Sequence, residues 1–176
     1  PVTLLYGFAL LVIVGTGLLL LPSSTDSKEV APWWVALFTA TSAITVTGLT
    51  VVDTPTYWSS TGHGIILGLI LIGGLGWMSF AGFVLILLGQ RISLPQRLAL
   101  RESLGTAQVS GVLMALRYVV LASIALQLLG GGVLVLRLRS HFGWEWPQAV
   151  WQGMFHAVSG FNGAGFTILP ADLSLA

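Results

Sequence analysis

Cysteine is absent from this chain of 176 residues, and charge is nearly so: Lys, Arg, Asp and Glu together make up 7%. Without cysteine there is no disulfide framework, no thiolate metal site and no thiol nucleophile. Soluble domains carry roughly 25% charged residues, so a chain this poor in charge cannot cover itself with a polar surface. The formal net charge is +1, and no basic patch supports nucleic-acid binding. What fills the space instead is apolar: 55% hydrophobic residues and a mean hydropathy of +0.92. The expected fold class is therefore an all-α integral membrane protein.

One segment occurs twice. Trp34–Thr50 aligns without a gap to Trp151–Thr167, placing Phe38 on Phe155, Ala40 on Ala157, Ser42 on Ser159, Gly48 on Gly165 and Thr50 on Thr167. Each copy is an apolar stretch of about 10–14 residues, too short to cross a bilayer and of re-entrant length, that runs into a glycine-containing polar tail. Two such dips suggest a pore lined by repetition.

The remainder supplies spans. Val2–Leu21 is an apolar run of spanning length with no basic n-region or cleavage site, so it reads as a helix rather than a signal peptide. Pro22–Glu29 is a polar loop, and Pro32 suits a helix start, so Trp33–Ile44 is expected to be a short helix. Thr45–Leu49 follows as irregular backbone, and Asp53–Ser60 returns to the surface. Ile65–Leu88 and Val112–Leu136 are expected to span, with Arg137–Pro147 as a loop, Gln148–Ser159 as a second short helix and Asn162–Phe166 as a second irregular stretch. The organisation expected is a first span–dip–span unit over 1–90, a linker over 91–111, and the span and dip of a second unit over 112–176. The second copy stops before a returning helix, so the chain is expected to be the front of a longer one.

Positive charge favours a cytoplasmic linker by four to three: Arg91, Arg97, Arg101 and Arg117 against Lys28, Arg137 and Arg139. The filter mouth then lies outside, and the location is a cell membrane crossed several times.

Backbone at membrane depth needs protein or a water-filled cavity around it. Carbonyl oxygens turned to an axis can replace the hydration shell of a potassium ion, and glycine takes φ > 0 without putting a Cβ in the lumen. The candidate filter residues are therefore Thr45, Val46, Thr47, Gly48 and Leu49, with Asn162, Gly163, Ala164, Gly165 and Phe166. The carbonyl end of the short helix before each loop favours a cation over an anion. Taken singly, a glycine after an apolar helix is equally a simple C-cap.

These residues also resemble a known family. Thr39–Thr50 with Val51-Val52-Asp53 is similar to the first pore loop of the Trk/Ktr/HKT superfamily of potassium transporters. Ile72–Phe80 resembles the start of its first M2 helix, Phe155–Phe166 its second pore loop, and Arg97–Gly105 its cytoplasmic linker. The resemblance implies four M1–P–M2 pore-loop repeats in one chain around a pseudo-fourfold pore. Here it covers the first repeat and the front of the second. It implies potassium uptake across the plasma membrane, marked by a glycine per filter loop at Gly48 and Gly165. It also implies a homodimer and a cytoplasmic nucleotide-binding regulatory subunit; transport is either passive through the pore or coupled to another ion, with sodium the candidate coupling or activating ion. The family's intramembrane gating loop belongs to its third repeat. In the third span, Val112–Leu136, Gln127 departs from the glutamate that members of the family often place at that level.

Other residues have competing readings. Asp53 is a helper at the outer mouth or an ordinary loop aspartate. Gly64, Gly68, Gly73, Gly74 and Gly76 suit close helix packing. Arg97, Arg101 and Glu102 dock a regulatory subunit or simply set topology. Arg117 snorkels to the interface. Trp33, Trp34, Trp58, Trp144, Trp146 and Trp151 form an interfacial belt, with lipid as their partner. His156 and Ser159, three apart on one short helix, admit an intramembrane serine hydrolase, with Ser42 and Thr39 in the matching places. A sodium-conducting homologue and a non-conducting scaffold complete the alternatives; no enzyme activity is the expectation.

Overall fold

A computed structural model describes residues 2–76, Leu98 and 112–169, and within these every regular element is a helix. The described order is α1 (Val2–Leu19), a 3₁₀ turn (Pro22–Ser24), α2 (Trp33–Thr45), α3 (Thr54–Tyr57), α4 (Ser60–Gly74), α5 (Val112–Phe142) and α6 (Trp146–Phe161). Among the described residues there is no strand, only one isolated antiparallel bridge between Thr25 and Trp58. The expected linker 91–111, with Arg91, Pro95, Arg97, Arg101 and Glu102, lies outside the described residues, Leu98 excepted. So does the stretch 77–88.

Helix lengths separate two kinds of element. The 31 residues of α5 extend about 46 Å, enough to cross a membrane, whereas the 13 of α2 and 16 of α6 reach only about 20 and 24 Å. Both short helices start at proline, Pro32 as the residue before α2 and Pro147 in the first turn of α6. There the missing N–H leaves no hydrogen bond unmade. α1 packs on α2, α2 on α4, and α5 on α6. Small residues set the approach: Gly15 of α1 lies against Leu69 and Ala40, and Gly131 and Gly153 bring α5 and α6 together at Met154 and Val135.

One buried cluster ties the two copies of the repeat to each other. It combines Leu19, Ala40, Ile44, Ile66 and Ile70 of the first with Phe155, Val158, Ala164, Phe166 and Ile168 of the second. At the far end the loops are sewn together: Ser24 Oγ donates to the Leu18 carbonyl at 2.8 Å, and Ser59 N–H to the Ser24 carbonyl at 2.9 Å. Ser59 also caps α4 by accepting from Gly62 N–H at 3.3 Å, the role for which serine is favoured at a helix start.

Four expectations are corrected. α4 begins at Ser60 and stops at Gly74, because Gly76 has φ +72° and cannot continue a right-handed helix, so Ile65–Leu88 is not one unbroken span. α5 runs on through Arg137–Phe142, and only Gly143–Glu145 separate it from α6. Trp58 is not at an interface: it is 1% exposed, and its Nε1 has no partner among the described residues, whereas Trp33, Trp34 and Trp146 are exposed. Among the glycines of α4, Gly68 meets nothing among the described residues, and close packing falls to Gly62, Gly73 and Gly74.

Candidate functional site

The two short helices end in the same hydrogen-bond pattern. After α2, Val46 N–H donates to the Ala43 carbonyl at 3.3 Å and Thr47 N–H to the Ser42 carbonyl at 3.1 Å. After α6, Gly163 N–H donates to Gly160 at 3.1 Å and Ala164 N–H to Ser159 at 2.7 Å. These are the 5→2 and 6→1 bonds of a Schellman cap, whose C′ residue is left-handed. Val46 at φ +57° and Gly163 at φ +71° occupy that place.

The cap therefore does not use Gly48 or Gly165. Both lie two residues further on, and both are again left-handed, at φ +71° and +70°. A helix end needs one such residue, not two, so the second left-handed residue of each loop serves something beyond termination. The sequence alone left cap and filter open for this glycine; the cap residue is Val46 in one loop and Gly163 in the other.

The loops also meet. A Cβ on Gly48 would run into the Ala164 carbonyl oxygen and come within 3.2 Å of Gly165 Cα; one on Gly165 would stand 3.7 Å from Gly48 Cα. Repeat-equivalent glycines thus face each other across the junction. Exposure alternates along the backbone. Thr45, Thr47, Leu49, Gly163 and Gly165 are exposed, Val46, Gly48 and Asn162 are half-buried, and Ala164 and Phe166 are buried. One edge of each loop is open and the other is packed.

α4 crosses beneath both caps. A Cβ on Gly73 would strike the Ile44 carbonyl at the end of α2, and one on Gly74 the Asn162 side chain at the end of α6. Asn162 is held there by its Nδ2, which donates to the Val158 carbonyl at 2.8 Å. Sequence reading assigned this glycine pair to helix packing in general. Its placement under both helix ends was not foreseen.

Threonine and serine hydroxyls stitch the first cap. Thr47 Oγ1 donates to Ser42 Oγ at 3.2 Å and lies 3.1 Å from Thr45 Oγ1, which donates to the Thr41 carbonyl at 2.8 Å. In the second copy, buried Ser159 donates to the Phe166 carbonyl at 2.7 Å. Ser159 is therefore not paired with His156, whose Nδ1 is 2.7 Å from the Gln152 carbonyl and whose Nε2 is 3.0 Å from Thr167 Oγ1. His63 is likewise occupied, 2.9 Å from the Thr54 carbonyl and edge-on to Phe155.

Asp53 is exposed and accepts from the Thr56 hydroxyl at 2.6 Å. Gln127 is buried in α5, and its Nε2 has no partner among the described residues. Arg117 is exposed on the same helix. Among the described residues no group of three or more His, Asp or Glu side chains could hold a metal ion.

Several known proteins are similar to this chain in sequence. Ktr system potassium uptake protein B of Bacillus subtilis is 43% identical over 173 residues, which cover 98% of this chain and 38% of that protein. Potassium/sodium uptake protein NtpJ of Enterococcus hirae is 39% identical over 167 residues, 95% of this chain and 37% of that protein. The Ktr system potassium uptake protein B of Vibrio alginolyticus is 35% identical over 138 residues, 78% of this chain and 30% of that protein. The chain thus spans under two-fifths of the length of these relatives. The family model described as TrkH, cation transport protein, matches residues 6–175, and the chain belongs to that family.

Proposed function

We propose that this chain forms the front part of a potassium-uptake pore, in which Thr45–Leu49 and Asn162–Phe166 supply half of a filter lined by main-chain carbonyls. The observation that carries the reading is the pair of left-handed glycines, Gly48 and Gly165, placed beyond the helix caps and against one another. Thr47, between two residues of positive φ, has a negative one. Alternating handedness of this kind turns successive carbonyls toward the same side, as a queue of cation sites requires. The carbonyl ends of α2 and α6, each worth about half a negative charge, lie next to the loops and favour a cation. The described edge that is exposed is then the lumen side, and the buried edge, with Ala164 and Phe166, is the wall behind it.

The names of the relatives agree with this reading: potassium uptake for the Ktr proteins, potassium and sodium for NtpJ. The latter favours sodium as a second transported or coupling ion. In this arrangement residues 1–90 form the first M1–P–M2 unit, 91–111 a cytoplasmic linker, and 112–176 the M1 and loop of the second. The filter mouth faces outside. Further repeats of the same chain complete the ring, and the whole assembles as a homodimer with a cytoplasmic nucleotide-binding subunit, as the family resemblance implies.

Expression of the full-length protein in a bacterium that lacks potassium uptake should restore growth at low potassium. Gly48→Ser and Gly165→Ser should each abolish the rescue or shift it toward sodium. Growth unchanged by both substitutions would remove the filter assignment.

A further inference from the structure

The two loops share a backbone as far as Gly48 and Gly165 and then part company. After Gly48, Leu49, Thr50 and Val51 are exposed, and among the described residues no side chain bonds them back to α2. After Gly165 the chain is folded onto α6. Ile168 N–H donates to His156 Nε2 at 3.3 Å, the Thr167 hydroxyl lies 3.0 Å from the same nitrogen, and Gln152 Nε2 donates to the Ile168 carbonyl at 3.0 Å. Leu169 N–H donates to Thr167 Oγ1 at 3.2 Å, which leaves the threonine proton for the histidine.

The bonds fix the tautomer. Nδ1 faces a carbonyl oxygen, which only accepts, so Nδ1 carries the proton and Nε2 offers its lone pair to Ile168 and Thr167. The position equivalent to His156 in the first copy is Thr39, buried and too short to reach a returning strand in this way. No other described side chain accepts the Ile168 N–H. Buried amides without a partner are costly, so the histidine helps fix where residues 166–168 lie, together with Ser159 on the Phe166 carbonyl and Gln152 on the Ile168 carbonyl.

We propose that His156 is a positioning residue for ion discrimination: as a neutral acceptor it latches the exit of the second loop and thereby sets the carbonyls around Gly165, while the first loop is left unlatched. This rests on the filter reading above. Such a filter is asymmetric, with one wall braced and one wall able to adjust.

The test uses the full-length protein in the uptake-deficient bacterium, measuring potassium uptake against sodium competition and membrane abundance together. His156→Leu should lower the preference for potassium by roughly tenfold, the scale set by one buried amide left unpaired. His156→Gln, whose side-chain oxygen can accept from Ile168, should restore most of it. Thr167→Val, which keeps volume and removes the donor to His156 together with the acceptor for Leu169 N–H, should fall between them, and it decides the matter if His156→Leu does not reach the membrane. A potassium preference unaltered in His156→Leu and Thr167→Val, in cells where Gly165→Ser destroys it, overturns the latch and spares the filter. A preference indifferent to Gly165→Ser removes both.

Discussion

Between Gly48 and the carbonyl of Ala164 there is room for a hydrogen and nothing larger. The contact joins two loops that are more than a hundred residues apart in sequence yet alike in conformation, since Gly48 and Gly165 both hold φ near +70°. The likeness does not extend to the space around them. A Cβ on Gly48 collides with backbone, which cannot swing aside, while one on Gly165 meets Gly48 Cα at an ordinary 3.7 Å.

Alanine at the two positions should therefore behave differently. Gly165→Ala bears mainly the strain of a left-handed alanine, on the order of 1 kcal/mol. Gly48→Ala bears that and a displacement of the second loop. Potassium uptake by the full-length protein should fall severalfold for Gly165→Ala and at least about tenfold for Gly48→Ala, each 1.4 kcal/mol being worth a factor of ten. Equal losses would mean that the loops do not touch as described.

The cap residues allow a cleaner swap. Val46 is a β-branched residue at φ +57°, an uncommon state that costs on the order of 1–3 kcal/mol, and its counterpart Gly163 has open space around it. Val46→Gly relieves strain but gives up a half-buried side chain packed on the core, and the two effects are of similar size. Its melting temperature in detergent should stay within a few degrees of the parent. Gly163→Val adds the same strain with nothing to pack against, so it should melt clearly lower. A stabilised Gly163→Val would contradict the left-handed cap.

How much of this was legible beforehand depends on the kind of signal. The repetition of Trp34–Thr50 as Trp151–Thr167 places both short helices and both loops within a residue or two, because apolar runs and proline starts are local properties. The division of labour within each loop was not legible. Val46 looks like strand rather than cap, and only its tertiary setting holds it left-handed. The break at Gly76 was hidden among other small residues that do continue a helix. Trp58 reads as an interfacial tryptophan by composition, but the pairing of two distant loops at Thr25 and Trp58 buries it. The latch at His156 depends on a contact eleven residues along the chain and a tautomer, neither of which a sequence displays.

Two glycines in one helix should respond oppositely to alanine. Gly68 has no neighbour for a Cβ among the described residues, so Gly68→Ala should gain up to about 1 kcal/mol of helix propensity and melt slightly higher. Gly73→Ala places a methyl on the Ile44 backbone, with its Cα at 3.0 Å and its carbonyl closer still. That pushes α4 away from the end of α2. Gly73→Ala should melt several degrees lower and lose uptake, and a neutral result would show that α4 does not pass under the first cap.

Ser159 separates transport from hydrolysis. Its hydroxyl is 2% exposed and donates to the Phe166 carbonyl at 2.7 Å, while His156 is engaged with Gln152, Thr167 and Ile168. A nucleophile must hand its proton to a base within hydrogen-bond reach; here the proton is committed to a carbonyl, and the nearest histidine nitrogen already accepts from two other donors. Ser159→Ala should leave the Phe166 carbonyl unpaired and cost about 1–3 kcal/mol of stability, seen as a lower melting temperature and weaker potassium preference. The parent protein should not be labelled by a serine-reactive fluorophosphonate. Labelling that Ser159→Ala removes would show the hydroxyl free to react, and the second loop would then have to be redrawn around it.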